Sequence, residues 1–232
     1  MAAPVVDAVS TGVEDPASLT HTVTAPTGTG GVLEVTLCTD RRPSTNTFTF
    51  PTGLGTWTTR LDADQGSTGQ IVKATKADNG ETNIAITSSA SCESSWQVRR
   101  ISGCDLSVTP EYQTSVASGV STVTPGTLSI TGGPLDALIV CDTAIDGART
   151  ATSFPTTPAT FINTSTAGTG GGGTSVGGAF CDLERTALSS ITPGTFTISG
   201  SDDYVCAVGA YYPAAASTIA PLAAMHTAMM NN

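Results

Sequence analysis

The sequence predicts an all-β protein, a jelly-roll-like antiparallel β-sandwich built from two related halves. First, one series of features occurs twice: an apolar strand, a Phe-Pro pair, a second aromatic residue, a glycine-rich turn and an alternating strand. Second, the Phe-Pro pairs at Phe50 and Phe154 lie 104 positions apart, as do Trp57 and Phe161. Third, most of the chain consists of short runs that alternate apolar and polar residues and are bounded by Gly or Pro.

Individual strands are predicted from alternation with a period of two. In the run VLEVTLC, Leu33, Val35 and Leu37 place apolar bulk on one face. Trp96 lies inside the run SSWQV and is expected in the core. The tetrapeptide TPGT precedes an alternating strand at 124–127 and again at 192–195, where Pro-Gly suits a type II turn.

The domain organisation follows from the repeat. Its halves span about 19–105 and 123–213, and the join between them has no long Pro/Ser-rich linker, so a single sandwich over 1–213 is predicted. The strands before Gly31 have no evident counterpart in the second half. The glycine-rich stretch 166–178 is expected to be a surface loop.

The remaining segment, 214–232, is predicted to be a C-terminal arm or short helix. Its run LAAMHTAMM consists of good helix formers. Three alternatives stay open: a helix packed on its own sandwich, an arm docked on another subunit, and a frayed tail. Met-rich apolar surface suits adaptable contacts, so the candidate partner-contact residues are Leu222, Met225, Met229 and Met230.

Composition argues against several classes of partner. The net charge is −10, with 9 basic and 19 acidic residues, and nucleic-acid binding requires clustered Lys and Arg. Nucleic acid and anionic membrane are therefore not expected as partners. The N-terminus has neither a basic nor an apolar region typical of a secretory signal, and no run approaches 18 apolar residues. The chain is accordingly expected to fold in the cytoplasm of the cell that makes it.

The six cysteines form no CxxC pair and no Cys/His cluster, so no zinc site is predicted. Cys38, Cys141 and Cys206 lie in apolar runs and are interpreted as buried free thiols. Cys92 and Cys104 flank one strand, and a disulfide between them stays open.

No catalytic constellation emerges from the sequence. The histidines are His21 and His226, and neither accompanies a GxSxG nucleophile motif. The pairs Asp62/Asp64 and Asp202/Asp203 are interpreted as turn residues, with calcium coordination as the alternative. The sequence therefore predicts a non-enzymatic protein without catalytic residues, metal or cofactor. Trp57, Tyr211 and Tyr212 are the candidate surface aromatics, of the kind that stack on sugar rings.

The run from GTWTTRLDADQGSTGQIVKATKADNGE to SSWQVRRISGCD resembles a pattern found in bacteriophage structural proteins. There a GWT strand, a glycine-rich turn, a K.ADG.E hairpin and an RISG strand follow one another. In this chain Thr56 separates Gly55 from Trp57, a small departure from the pattern. The second half resembles the continuation common in these proteins, so the resemblance extends from about Val5 to Pro213.

The resemblance implies a β-sandwich virion protein and transfers no catalytic residue. The expected function is that of a capsid decoration (cement) protein on the head exterior. The alternative is a tail or head-fibre module that binds host surface glycan. Expected partners are the major capsid protein or other virion proteins and further copies of the chain, with a trimer favoured.

Overall fold

A computed structural model describes residues 2–40, 46–66, 69–133, 135–147, 149–169 and 175–214. Every regular element in this part of the chain is a β-strand, and all strand pairs within the sheets are antiparallel. The predicted class, an all-β antiparallel sandwich, is confirmed. The strands of the first half are β1 (Val5–Thr24), β2 (Val32–Thr39), β3 (Phe48–Thr49), β4 (Thr58–Gln65), β5 (Gly69–Ala77) and β6 (Asn83–Ser102). Those of the second half are β7 (Glu111–Val123), β8 (Leu128–Ser129), β9 (Leu135–Asp146), β10 (Ile162–Gly168), β11 (Val176–Leu188), β12 (Ser190–Ile191) and β13 (Phe196–Tyr211).

The two halves build sheets of the same topology. The N-terminal sheet has the order β1-β6-β2-β5-β4, with β3 added to β6. The C-terminal sheet has the order β7-β13-β9-β11-β10, and β8 pairs with β12 beside it. Apart from β3, each strand of the first sheet thus has a counterpart at the same place in the second. The expectation that the opening strand lacks a counterpart is wrong, because β7 occupies the place of β1.

Each half has a hydrophobic core of its own. In the first half, Leu33, Val35 and Leu37 of β2 pack in one cluster with Ile84 and Ile86. The ends of β6 would lie tens of ångströms apart in a straight strand, at about 3.3 Å per residue. Since both ends of β6 contribute to this cluster, the strand bends over its own sheet. The second half has a corresponding cluster around Phe161, Phe196 and Ile198.

The two sheets also pack against each other face to face. β2 lies against β9, β6 against β11, β5 against β13, β1 against β10 and β4 against β7. β2 therefore contacts its own counterpart, whereas β6 contacts the counterpart of β5. This is the arrangement of two equivalent sheets related by an approximate twofold axis, which passes between β2 and β9.

Two local predictions are wrong. The expected loop 166–178 is strand at both its ends, since β10 runs to Gly168 and β11 begins at Val176, and its middle, 170–174, lies outside the described residues. A Cβ on Gly177 would lie 2.0 Å from the carbonyl oxygen of Arg149, so this glycine permits a close approach of two backbones instead of a turn. The acidic pairs do not lie in turns either, since Asp62 is in β4 and Asp202 is in β13.

Candidate functional site

The most unusual feature of the structure is a cluster of charged side chains enclosed between the two sheets. Each member is at most 1% exposed, although charged side chains are almost never fully buried unless they are paired. The first half contributes two cations and one anion, and the second half contributes two anions. The members are Glu34, Lys73, Arg99, Asp142 and Asp182.

Hydrogen bonds connect this buried charge cluster across the sheet interface. Arg99 forms a bidentate pair with Asp142, with Nη2 2.6 Å from Oδ1 and Nη1 2.8 Å from Oδ2. The ammonium of Lys73 donates to Asp142 and, at 2.9 Å, to Glu34. The hydroxyl of Thr36 lies 3.0 Å from an oxygen of each carboxylate and donates its one proton to either of them. The two halves are thus joined by charge-assisted bonds.

Two members of the cluster are related by the repeated topology. Thr36 of β2 pairs with Lys73, and its counterpart Val140 of β9 pairs with Asp182. Lys73 and Asp182 therefore occupy equivalent positions and carry opposite charges. They do not pair with each other: Lys73 contacts Glu34 and Asp142, and Asp182 lies 3.8 Å from Arg99, so each equivalent position adds one charge to the cluster.

The surroundings lower the pKa of one buried carboxyl group of the cluster and raise the pKa of another. Burial alone would raise the pKa of Asp142, but Arg99 and Lys73 outweigh it and lower that pKa to about 2. Burial raises the pKa of Asp182 to about 6, although Arg99 and a hydrogen bond from Asn163 oppose the change. The pKa of Lys73 is raised, because Asp142 and Glu34 outweigh the effect of its burial.

This geometry suits an architectural role better than a catalytic one. The charged groups bind one another and no substrate can reach them in the closed interface. Buried ion pairs add little net stability over apolar packing, but they are costly to break and can specify a unique pairing. We interpret the cluster as the set of interactions that fixes how the two halves are placed relative to each other.

A second polar cluster surrounds the buried His21. Its Nδ1 lies 2.9 Å from the hydroxyl of Ser94, and its Nε2 lies 3.3 Å from Ser88 and 3.5 Å from the sulfur of Cys92. Burial lowers the pKa of His21 and raises that of Cys92 to about 11. A neutral ring and a protonated thiol with no access to solvent do not form an active nucleophile.

The surface has a small pocket of about 180 Å³ beside Trp57. Leu54 at its rim is 55% exposed, whereas Ile84 at its base is 1% exposed. The indole of Trp57 is half-buried, with the ring of Phe50 at 5.2 Å and the ammonium of Lys76 at 5.7 Å from its own ring. The lining residues are Pro51, Gly53, Leu54, Trp57, Lys76, Glu81, Asn83 and Ile84.

The charged groups of this Trp57 pocket are engaged with each other. Lys76 donates to the carbonyl oxygen of Leu54 and to Oε1 of Glu81. The other oxygen of Glu81 accepts from the backbone N–H of Asn79, at 3.1 Å. These bonds tie the loop at Leu54 to the β5–β6 connection, and the pocket walls are mainly apolar.

The predicted site residues have different outcomes. Trp57 reaches the surface in part, but Tyr211 and Tyr212 are 0% and 5% exposed and are not surface aromatics. The hydroxyl of Tyr211 hydrogen-bonds that of Tyr112 at 2.7 Å, between the sheets, and Tyr212 donates to Glu111. The proposed partner-contact residues lie outside the described part of the chain: Leu222, Met225, Met229 and Met230.

The cysteine prediction is confirmed for Cys38, Cys141 and Cys206, which are fully buried free thiols. Cys92 and Cys104 are also free, so the structure contains no disulfide between them. Among the described residues, no group of three or more His, Cys, Asp or Glu side chains is arranged to hold a metal ion. The described chain likewise contains no helix that is long and apolar enough to cross a membrane.

Sequence reasoning missed the buried charge cluster. Alternation in VLEVTLC correctly gave the apolar face of β2, but it implied that Glu34 and Thr36 face water. The repeat offered no direct signal, because Lys73 and Asp182 lie 109 positions apart instead of 104 and only the strand pairing makes them equivalent. No family model, curated protein or solved structure matches the chain, so the comparisons neither add to nor alter this description of the site.

Proposed function

We propose that the chain is a non-enzymatic bacteriophage virion structural protein, and specifically a capsid decoration protein that binds the head exterior. The proposal draws on the resemblance of the GTWTT, KATKADNGE and RISG segments to phage structural proteins. It also draws on an exposed apolar surface and on the buried charge cluster, which suit a rigid protein that binds its neighbours.

The main structural support for this proposal is a row of exposed valines on an edge strand. β1 is an outermost strand of the N-terminal sheet. Val9 and Val13 lie on one of its faces and are 36% and 42% exposed, and Val5, on the far side of a register shift between Val6 and Ala8, is 39% exposed. Val9 and Val13 pair with Arg99 and Ser95 of β6, so this face turns toward the second sheet. An exposed apolar row beside an unpaired strand edge is typical of a surface that binds a neighbouring protein.

The buried charge cluster supports the same proposal. A protein that covers seams on a shell must keep its shape under load, and two halves joined by paired charges have one preferred placement. The partners would be the major capsid protein or another virion protein, together with further copies of the chain, with a trimer favoured. Folding in the host cytoplasm followed by addition to the particle is consistent with the reduced cysteines.

The test is the position and copy number of the chain in particles. Cryo-electron microscopy should place it on the head, and quantitative mass spectrometry should find it in numbers comparable to the major capsid protein. A few copies restricted to the tail would refute decoration.

The valine row can be tested separately with Val13→Asp, which should weaken binding to heads depleted of the protein at least tenfold. The matched control is Val116→Asp, at a 53% exposed position on β7, the counterpart of β1. Circular dichroism and thermal melting verify that both variants fold. Equal binding by the two variants would contradict the role of β1.

The alternative function, a tail or head-fibre module that binds host glycan, has one observation in its favour. Trp57 is partly exposed at a pocket large enough for a single ring. Against it, Lys76 and Glu81 are already hydrogen-bonded, whereas sugars need polar groups that are free to bind hydroxyls. Retention of the purified chain on host polysaccharide would favour this alternative over decoration.

A further inference from the structure

The two halves of the chain differ at the Trp57 pocket, which is open in the first half and has a closed counterpart in the second. In the second half, the counterpart of Trp57 is Phe161, which is 3% exposed and belongs to the core. The counterpart of the exposed Pro51 is Pro155, which is buried. The same loop therefore lies closed over the connection beside it in the second half and is open in the first.

Two differences in sequence account for the opening. Ile84 pairs with Val23, and at the equivalent position Phe196 pairs with Val123. Phe196 is fully buried and stacks on Phe154, with ring centroids 6.1 Å apart. The first half thus has an aliphatic side chain where the second half has a phenyl ring.

The second difference concerns the loop itself. In the second half, Thr157 accepts a backbone hydrogen bond from Gly194 at 2.9 Å, and its side chain lies against that glycine. The counterpart of Thr157 is Gly53, where an added Cβ would meet no atom within 4 Å. The contact that closes the second half is missing from the first, and open space takes its place.

We propose that the Trp57 pocket binds an apolar ring, a phenylalanine side chain presented by a partner protein. The chain itself shows a side chain of suitable shape, since the buried phenyl ring of Phe196 takes the position of Ile84 in the closed half. The size agrees, because an apolar cavity of about 150 Å³ admits benzene and this pocket measures about 180 Å³.

The chemistry of the lining selects a ring over a sugar. Ile84, Leu54 and Trp57 supply apolar contact, while Lys76 and Glu81 neutralise each other within the wall. A phenyl ring needs no hydrogen bonds and gains from the removal of apolar surface from water. A single ring held in an open pocket binds weakly, so the pocket would serve as one anchor within a larger protein contact.

The experiment uses the full chain and N-acetyl-L-phenylalaninamide as the probe, followed by ¹H–¹⁵N NMR of the two tryptophan indoles. The indole signal of Trp57 should shift saturably at millimolar probe, whereas that of Trp96, 5% exposed, serves as the internal reference. Methyl glucoside and methyl galactoside at the same concentration should leave both signals in place. The Trp57→Phe variant assigns the signals.

Two variants test the site. Ile84→Phe restores the residue of the closed half and should weaken probe binding at least tenfold. Leu54→Asp alters a 55% exposed rim residue, so it tests the pocket even where Ile84→Phe fails to fold. Leu19→Ala, at a 54% exposed position that does not line the pocket, is the control and should bind like the unmodified chain.

The inference is overturned if Trp57 shows no saturable shift, if a glycoside shifts it and the phenyl probe does not, or if probe binding survives both pocket variants. That the natural donor of the ring is a virion neighbour rests on the proposed function. Because the probe experiment involves no particle, its failure removes the ring-binding pocket and leaves the decoration proposal to its own test.

Discussion

Replacing Asp142 by Asn should lower the free energy of unfolding by about 3–5 kcal/mol, the usual cost of removing one partner from a buried ion pair. Asp142 is fully buried and accepts hydrogen bonds from Lys73, Thr36 and both terminal nitrogens of Arg99. Asparagine keeps the shape but removes the charge, and it turns a donor toward groups that are themselves donors. Against a total of about 5–15 kcal/mol for a typical protein, the loss is large.

The assay is urea unfolding at pH 7, followed by tryptophan fluorescence. The matched control is Asp202→Asn, which breaks a partly exposed pair with Arg149 and should cost about 0–1 kcal/mol. The double variant Lys73→Met, Asp142→Leu removes a cation together with its anion, so it should lose less than the two single variants combined. The reasoning fails if Asp142→Asn is no more destabilising than Asp202→Asn.

Two further predictions concern ionisation and thiol reactivity. The folded chain has the pKa of Asp182 raised to about 6 from 3.8, so it binds more protons than the unfolded chain between these values and becomes less stable as pH rises through them. Asp182→Asn should remove this decline and stabilise the protein at pH 8 by up to about 3 kcal/mol. The measurement is urea unfolding from pH 4 to 8, and an unchanged pH profile of stability would contradict the prediction. Ellman's reagent should react slowly with the native protein, mainly at the half-buried Cys104, because burial raises the pKa of that thiol to about 12. After unfolding it should react with all six cysteines. Rapid reaction of several native thiols would argue against their buried placement.

Much of the fold could be predicted because strand alternation is a local property of the sequence. The apolar positions Leu33, Val35 and Leu37 pack together as expected, and the repeat of 104 positions appears as two sheets with equal strand order. The same local rule failed for Glu34, because alternation with polar residues normally marks a face in water. Whether a polar face meets water or a second sheet depends on distant residues, which a single strand does not reveal.

The aromatic residues show the same limit. Tyr211 carries a polar group at the end of an apolar strand, a pattern that suits a surface residue equally well. Its burial follows from the strand lying inside the sheet interface, where Tyr112 supplies a hydrogen-bond partner. The position of Trp57 could be anticipated in part, since it follows the turn GLGT at a loop. That its pocket is open emerges only from comparison with Phe161 in the other half.

The charge cluster explains how two similar sheets avoid pairing with copies of themselves. If two first halves met in the same way, each would bring Glu34, Lys73 and Arg99, and the buried interface would hold an excess of positive charge. Two second halves would bring Asp142 and Asp182 twice and bury anions alone. Only the pairing of unlike halves brings cations and anions together in nearly equal number, and the cost of uncompensated buried charge is several kcal/mol per group. The ion pairs therefore contribute chiefly by making the two halves of one chain the preferred partners for each other, which keeps their outer surfaces and edge strands available for contacts with other proteins.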